Sequence, residues 1–137
     1  MNDATHGWIT TNNANDSILW TDDNWTGILP QDRKSARQLY SLFFLPKDPN
    51  SPFPDRLEGW AVGAPDDLGG NGSILHIYSD TGSGPWTTEM VASGTSSTLL
   101  DVFMSTPSLG WAIGGDDNTG AGTVLQWNGA AWLPCDL

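Results

Sequence analysis

The pentapeptide Gly59-Trp60-Ala61-Val62-Gly63 returns as Gly110-Trp111-Ala112-Ile113-Gly114 and, shortened, as Gly7-Trp8-Ile9-Thr10. The copies begin at positions 7, 59 and 110, so 52 and 51 residues separate them. The segments after each copy also recur in order. An Asp/Asn/Gly-rich gap leads to a short β-branched run: Ser17-Ile18-Leu19-Trp20, then Ser73 to Tyr78, then Thr123 to Trp127. A polar turn and a further tryptophan come next, at Trp25, Trp86 and Trp132. An apolar run, Leu39 to Phe44 or Leu99 to Met104, precedes the second and third copies. A chain with this internal period folds as a series of like units.

Each full unit reads as four strands, and the chain as an all-β protein. Four strands per unit at a period of roughly 40 to 50 residues, marked by glycine and aromatic residues, predict β-propeller blades. Residues 1–29 make a partial blade of three strands, with nothing before Gly7 to serve as the innermost one. Residues 30–92 make a full blade and 93–137 another.

In the partial blade the strands fall at Gly7 to Thr10, Ser17 to Trp20 and Trp25 to Leu29, the last stopped by Pro30. A solvated linker with Arg33, Lys34 and Arg37 follows. In the second blade the expected strands are Leu39 to Leu45, apolar enough to be buried, then Gly59 to Ala64, Ser73 to Tyr78 and Trp86 to Val91. Between the first two lies an insertion, residues 46–58, whose Pro46, Pro49, Pro52 and Pro54 cannot hold a ladder of backbone donors. The third blade spans the same connection with Ser105 to Leu109. Its Asn128-Gly129 pair, set between apolar runs, predicts a hairpin.

Bulk properties narrow the function classes. The formal charge is −11, and Arg33, Lys34, Arg37, Lys47 and Arg56 are all the basic residues there are. Residues 57–137 carry nine acids and no Lys or Arg. Such a surface repels phosphate backbones and anionic bilayers, so neither nucleic acid nor membrane insertion is expected. No apolar run approaches the length of a membrane span, and the segment from Met1 to His6 has no secretory-signal character. Cys135 is the only cysteine, so no disulfide forms within the chain. Eight tryptophans are many for this length. They serve either as packing posts between blades or as platforms for a ligand.

The apolar strand, the Gly-Trp-Ala-Val-Gly strand, the Ser/Thr-Ile/Val-Leu strand, and Trp127-Asn128-Gly129 with Trp132 resemble the BNR/Asp-box-type propeller repeats of photosystem II assembly factor-like and bacterial surface proteins. Units two and three carry the resemblance best. Asp80-Thr81-Gly82 with Trp86 is an Asp-box one residue too long, and Asp22-Asp23-Asn24-Trp25 lacks its glycine. The resemblance implies a ring of about six to eight blades. Fewer than three are present, and an open arc would leave apolar blade faces wet. A homo-oligomer, a filament, or the remainder of a longer chain is therefore expected to complete the ring.

Candidate chemistry is sparse. Asp116, Asn118 and Gly120 alternate as in a loop that could wrap Ca²⁺, without the closing bidentate glutamate of an EF-hand. No other cofactor is implied. His6 and His76 are the only imidazoles; no zinc spacing or phosphate loop occurs, and His76 reads as a packed or hydrogen-bonded strand residue rather than a base. The expectation is thus a non-enzymatic interaction and assembly module, extracellular or on the cell surface. The alternative is a carbohydrate-binding propeller in which Trp20, Trp25, Trp86, Trp127 or Trp132 stacks on a sugar. Phe53, flanked by prolines, is a further candidate contact.

Overall fold

Short runs rich in Ile, Val, Leu, Trp and Thr, each bounded by Gly, Pro, Asn or Asp, become strands that pair with their sequence neighbours. The computed structural model describes residues 38–65, 70–82, 86–115 and 121–135, the side chain of Trp8, and the backbone of 7–10, 18–21, 29–31 and 116. The strands are β1 (Gly7–Thr10), β2 (Ile18–Thr21), β3 (Leu29–Gln31), β4 (Leu39–Phe44), β5 (Leu57–Pro65), β6 (Gly72–Ser79), β7 (Thr87–Met90), β8 (Leu99–Thr106), β9 (Leu109–Asp116), β10 (Gly122–Trp127) and β11 (Trp132–Pro134). They form three antiparallel meanders: sheet I (β1–β3), sheet II (β4–β7) and sheet III (β8–β11). No helix occurs among the described residues.

Sheets II and III agree in detail. Phe43, Trp60 and His76 stand in one cross-strand row of sheet II, and Phe103, Trp111 and Gln126 in the matching row of sheet III. The first strand of each bulges at the same place, between Leu39 and Ser41 and between Leu99 and Asp101. The bulges are tied to the glycines that end each Gly-Trp-Ala run. A Cβ on Gly63 would overlap the Gln38 carbonyl oxygen, and one on Gly114 would lie 2.6 Å from the Thr98 carbonyl oxygen. The amides that follow take those carbonyls as acceptors: Ala64 N–H donates to Gln38 at 2.8 Å and Gly115 N–H to Thr98 at 3.0 Å. Only glycine lets the two backbones come this close.

Alternation sends successive side chains to opposite faces, so sheet II must be covered twice. One face gives Trp60, Val62 and Ile74 to a core shared with Val102, Met104, Ala112, Leu125, Trp127 and Trp132 of sheet III. The other gives Leu39, Ala61, Leu75 and Ile77 to a core with Trp8 of sheet I, flanked by Phe44, Trp86 and Met90. Ring geometry is regular in both. Trp60 lies 4.9 Å from Trp127 and 5.6 Å, edge-on, from Trp132; Trp8 stacks on Phe44 at 5.2 Å and meets Trp86 edge-on at 4.6 Å. Offset and edge-to-face pairs of this kind add about 0.5–1.5 kcal/mol each beyond area burial.

Several expected boundaries move. β3 runs through Pro30 to Gln31, past the boundary expected at 29. It is the outer strand of its sheet, pairing only with β2, and an edge strand tolerates a proline that a central one does not. Pro134 stands in the matching outer strand β11. Leu57 and Glu58, assigned above to the insertion, belong to β5 and pair with Ser79 and Tyr78, because the prolines end at Pro54 and nothing interrupts the ladder beyond it. β4 is not the buried strand its composition suggests. Only Leu39 is buried, since β4 lies at the edge of sheet II with Tyr40 open to solvent. The hairpin at Asn128-Gly129 forms, but as a four-residue loop. Trp127 pairs with Trp132, the Asn128 side chain accepts from the Ala130 and Ala131 amides at 2.9 Å, and Gly129 takes φ 93°.

The close strand approach at the bulge predicts that Gly63→Ala and Gly114→Ala each lower the unfolding free energy by about 1–3 kcal/mol. The expected result is a lower urea midpoint with unchanged slope, whereas Gly115→Ala, whose Cβ meets open space, leaves it near the wild-type value.

Candidate functional site

Two features of the surface stand out: a polar cluster where the insertion meets sheet II, and an uncovered face on sheet III.

The cluster begins with the insertion folding back on itself. Ser51 N–H donates to the Asp48 carbonyl at 3.1 Å and Arg56 N–H to the Phe53 carbonyl at 3.0 Å. The loop then lies over the β6–β7 hairpin at Gly82, where φ is +74° and a Cβ would sit 2.6 Å from the Asp55 carbonyl oxygen. This close approach sets Arg56 over the Tyr78 ring at 4.5 Å and within 3.2 Å of Asp80 and 3.5 Å of Glu58. Glu58 and His76 are diagonal neighbours across β5 and β6. Glu58 Oε1 lies 2.6 Å from His76 Nε2, and the imidazole stacks on Trp60 at 4.3 Å. An ionised carboxylate only accepts, so Nε2 carries the proton.

Burial disfavours the charge of Glu58, but the His76 hydrogen bond and the charges of His76 and Arg56 more than offset it and hold the carboxyl below its ordinary value. Phe53, 51% exposed, shares a pocket of about 50 Å³ with Asp48, Ser51, Arg56 and Glu58. A larger cleft of about 350 Å³ opens between Pro46–Pro49 and the Ser105–Pro107 turn.

On sheet III, the face opposite the shared core carries Phe103, Trp111, Ile113, Val124 and Leu133, with Gln126 between Trp111 and Leu133. Phe103 is 53% exposed, Ile113 48% and Leu133 50%. Phe103 meets Phe43 edge-on at 5.0 Å on one side, and half of it stays open. The equivalent positions on sheet II are Phe43, Trp60, Val62 and Ile74. The last three are sealed, because sheet III lies on them.

The expected contact residues separate into three groups. Trp127 and Trp132 are buried between sheets II and III, and Trp127 Nε1 donates to the Pro107 carbonyl at 3.1 Å, so both rings are occupied by packing. Trp86 is half-buried against Trp8 and close to Phe44, while Phe53 faces solvent. Trp20 lies in β2 with its side chain outside the described residues, as is all of Trp25. Asp116 ends β9, and its side chain and Asn118 likewise fall outside them, so the Ca²⁺ expectation is not placed. No group of three or more His, Cys, Asp or Glu is gathered to hold a metal among the described residues. Cys135 is a free thiol. No helix among the described residues is long and apolar enough to cross a membrane. The chain matches no family model and no curated protein.

Sequence reasoning read His76 as a packed or hydrogen-bonded strand residue but missed its partner Glu58, which it had placed in a loop. A depressed carboxyl group adds stability that is fully present above its unfolded value and fades as pH falls through the folded one. The gap in unfolding free energy between wild type and Glu58→Gln should therefore narrow as the pH drops below 4.5. Urea titrations at a series of pH values measure this, and a gap that widens on acidification would contradict the assignment.

Proposed function

We propose that this chain is a non-enzymatic interaction and assembly module built from propeller-type blades, which associates with copies of itself outside the cell or on its surface. The observation that carries the reading is the uncovered face of sheet III. It presents the residue types that sheet II keeps dry: Ile113 is half exposed, whereas Val62, in the matching place, is fully buried. Monomeric proteins seldom leave several large apolar side chains together on a sheet face open to water, and such a patch marks a protein contact. Two further facts support the reading. Sheets II and III share strand order and bulge positions, as successive blades do. The polar cluster is spent on internal pairs, Glu58 with His76 and Arg56 with Asp80, which organise the insertion.

A carbohydrate contact is the second reading, and its specific support is Phe53. An exposed ring beside Asp48 and Ser51 offers a flat apolar surface next to hydroxyl acceptors. The tryptophans buried in the core no longer contribute to it.

Light scattering and sedimentation over a wide concentration range test the first reading. A mass that rises above 14.7 kDa with concentration is expected, and a mass fixed at that value would end it. Ile113→Asp combined with Leu133→Asp, on exposed positions, should weaken association by about tenfold or more while the circular dichroism stays that of a β protein. For the second reading, Phe53→Ala should abolish any glycan-array signal.

A further inference from the structure

Three Asn-x-Ser/Thr triplets stand in the chain: Asn15-Asp16-Ser17, Asn24-Trp25-Thr26 and Asn71-Gly72-Ser73. Only the last lies among the described residues. Asn15 and Asn71 hold one place in the repeat, three residues ahead of Ile18 in β2 and of Ile74 in β6. In the third unit the place belongs to Ala121, since Thr123 pairs with Gly114 as Ser73 pairs with Gly63.

The fold accounts for part of the triplet and not for the rest. Ser73 is fully buried and its hydroxyl donates to the Ala64 carbonyl at 2.6 Å; Thr123 keeps a hydroxyl at the matching place and donates to Ser97 Oγ at 2.8 Å. Gly72 is held by close approach, because a Cβ there would lie 2.3 Å from the Ser97 carbonyl oxygen. The connection does not demand asparagine before them. Sheet III enters β10 in the same register with alanine there. Asn71 is exposed, and a Cβ on the neighbouring Gly70 would meet no atom within 4 Å among the described residues. An Asn-x-Ser/Thr triplet in a surface loop of an exported protein is an acceptor for an N-linked glycan.

We propose that Asn71 is such an acceptor, and that it takes an oligosaccharide from a lipid diphosphate donor before sheet II closes. In the transfer the amide nitrogen of Asn71 bonds to the anomeric carbon of the first sugar. The bond from that carbon to the diphosphate oxygen breaks, the lipid diphosphate leaves, and the amide gives up one proton. The order of events follows from burial. The hydroxyl that the motif requires is sealed in the folded chain, and Gly72 N–H is bound to the Thr95 carbonyl at 2.8 Å, so the triplet is readable only while the chain is extended. After folding, Asn71 stays in water at the head of β6, clear of the strand residues that make the two covered faces. A bulky hydrophilic chain fits there without displacing a packed side chain. This rests on the reading that places the protein outside the cell and adds a modification that export supplies.

The test fuses a cleavable secretion signal to the full chain and translates it with microsomes from the endoplasmic reticulum. Peptide mapping after enzymatic deglycosylation in heavy-oxygen water should find labelled aspartate at position 71. A signal-cleaved chain with unmodified Asn71 would overturn the proposal. The label should vanish in Asn71→Gln and Ser73→Ala and persist in Ser73→Thr; its loss in Ser73→Thr, or its survival in Ser73→Ala, would overturn it as well. These readings are made on the nascent chain and do not depend on the variants folding. Ala121→Asn should add a labelled position in the third unit, and its absence would overturn the equivalence of the two turns. The purified folded chain, offered the solubilised transferase and its lipid donor, should stay unmodified at Asn71; modification there would overturn the order of events. Because the fused signal imposes export, an unmodified Asn71 strikes the site alone, whereas a mass fixed at 14.7 kDa for the unmodified chain strikes the assembly reading alone.

Discussion

The packing of Trp60 between its own sheet and the next is the interaction on which most of the described structure depends. Its indole is buried, stacked on His76 from its own sheet and held by Trp127 and Trp132 from sheet III. A single antiparallel sheet of four strands has too little apolar burial to offset the entropy of ordering its chain. Sheet II gains what it needs by being covered on both faces, and Trp60 is the largest side chain on one of them. The same indole fixes the plane of the His76 ring and so positions Nε2 for Glu58. Through Glu58 and Arg56 the insertion is tied to the sheet. Core packing and the order of the surface loop are therefore one mechanical unit.

Much of this was legible in the residues, and the failures have physical causes. Alternating apolar runs located the strands of sheets II and III to within a few positions. The bulges were not read in advance, although Gly63 and Gly114 lie where a Cβ would strike a backbone carbonyl. The errors came where a local rule met a nonlocal circumstance. Pro30 looked like a terminator because proline breaks central strands, and only the sheet order reveals that β3 is an edge. Leu57 and Glu58 looked like loop because four prolines precede them, yet their partners lie on β6. That placement hid the Glu58–His76 pair. Extending the strand by two residues would have set Glu58 diagonally across from His76, the signal that could have found it.

The tryptophans show the same limit. Composition marks Trp127 and Trp132 as large amphipathic rings equally suited to a core or to a ligand platform. Their roles are decided by what faces them. Sheet II lies on both, and Trp127 satisfies its N–H at the Pro107 carbonyl, while Trp60 Nε1 and Trp132 Nε1 find no acceptor among the described residues. Two buried donors without a partner carry a cost that the packing around them must exceed. The tryptophan cluster thus holds by shape and dispersion more than by polar satisfaction.

Burial is a relation between surfaces, and this explains why the most informative feature of the molecule cannot be read along the chain. Phe43 and Phe103, Val62 and Ile113, Ile74 and Val124 are near-equivalent residues at equivalent registers. Sequence treats the two sets alike. In the folded chain Val62 and Ile74 are fully buried and Ile113 is half exposed, because one sheet has a neighbour on that side and the other has none among the described residues. The difference measures what a neighbour does for such a face. At about 25 cal/mol per Å² of apolar area, covering three or four large side chains supplies several kcal/mol, enough to offset much of the cost of association when the partner surface is already ordered. A face with the composition of the buried face of sheet II has already lost most of its backbone entropy, since the strands that carry it are held by the core on their other side. The outer face of sheet III is preorganised for the same reason that it is exposed: folding of the sheet is secured from behind.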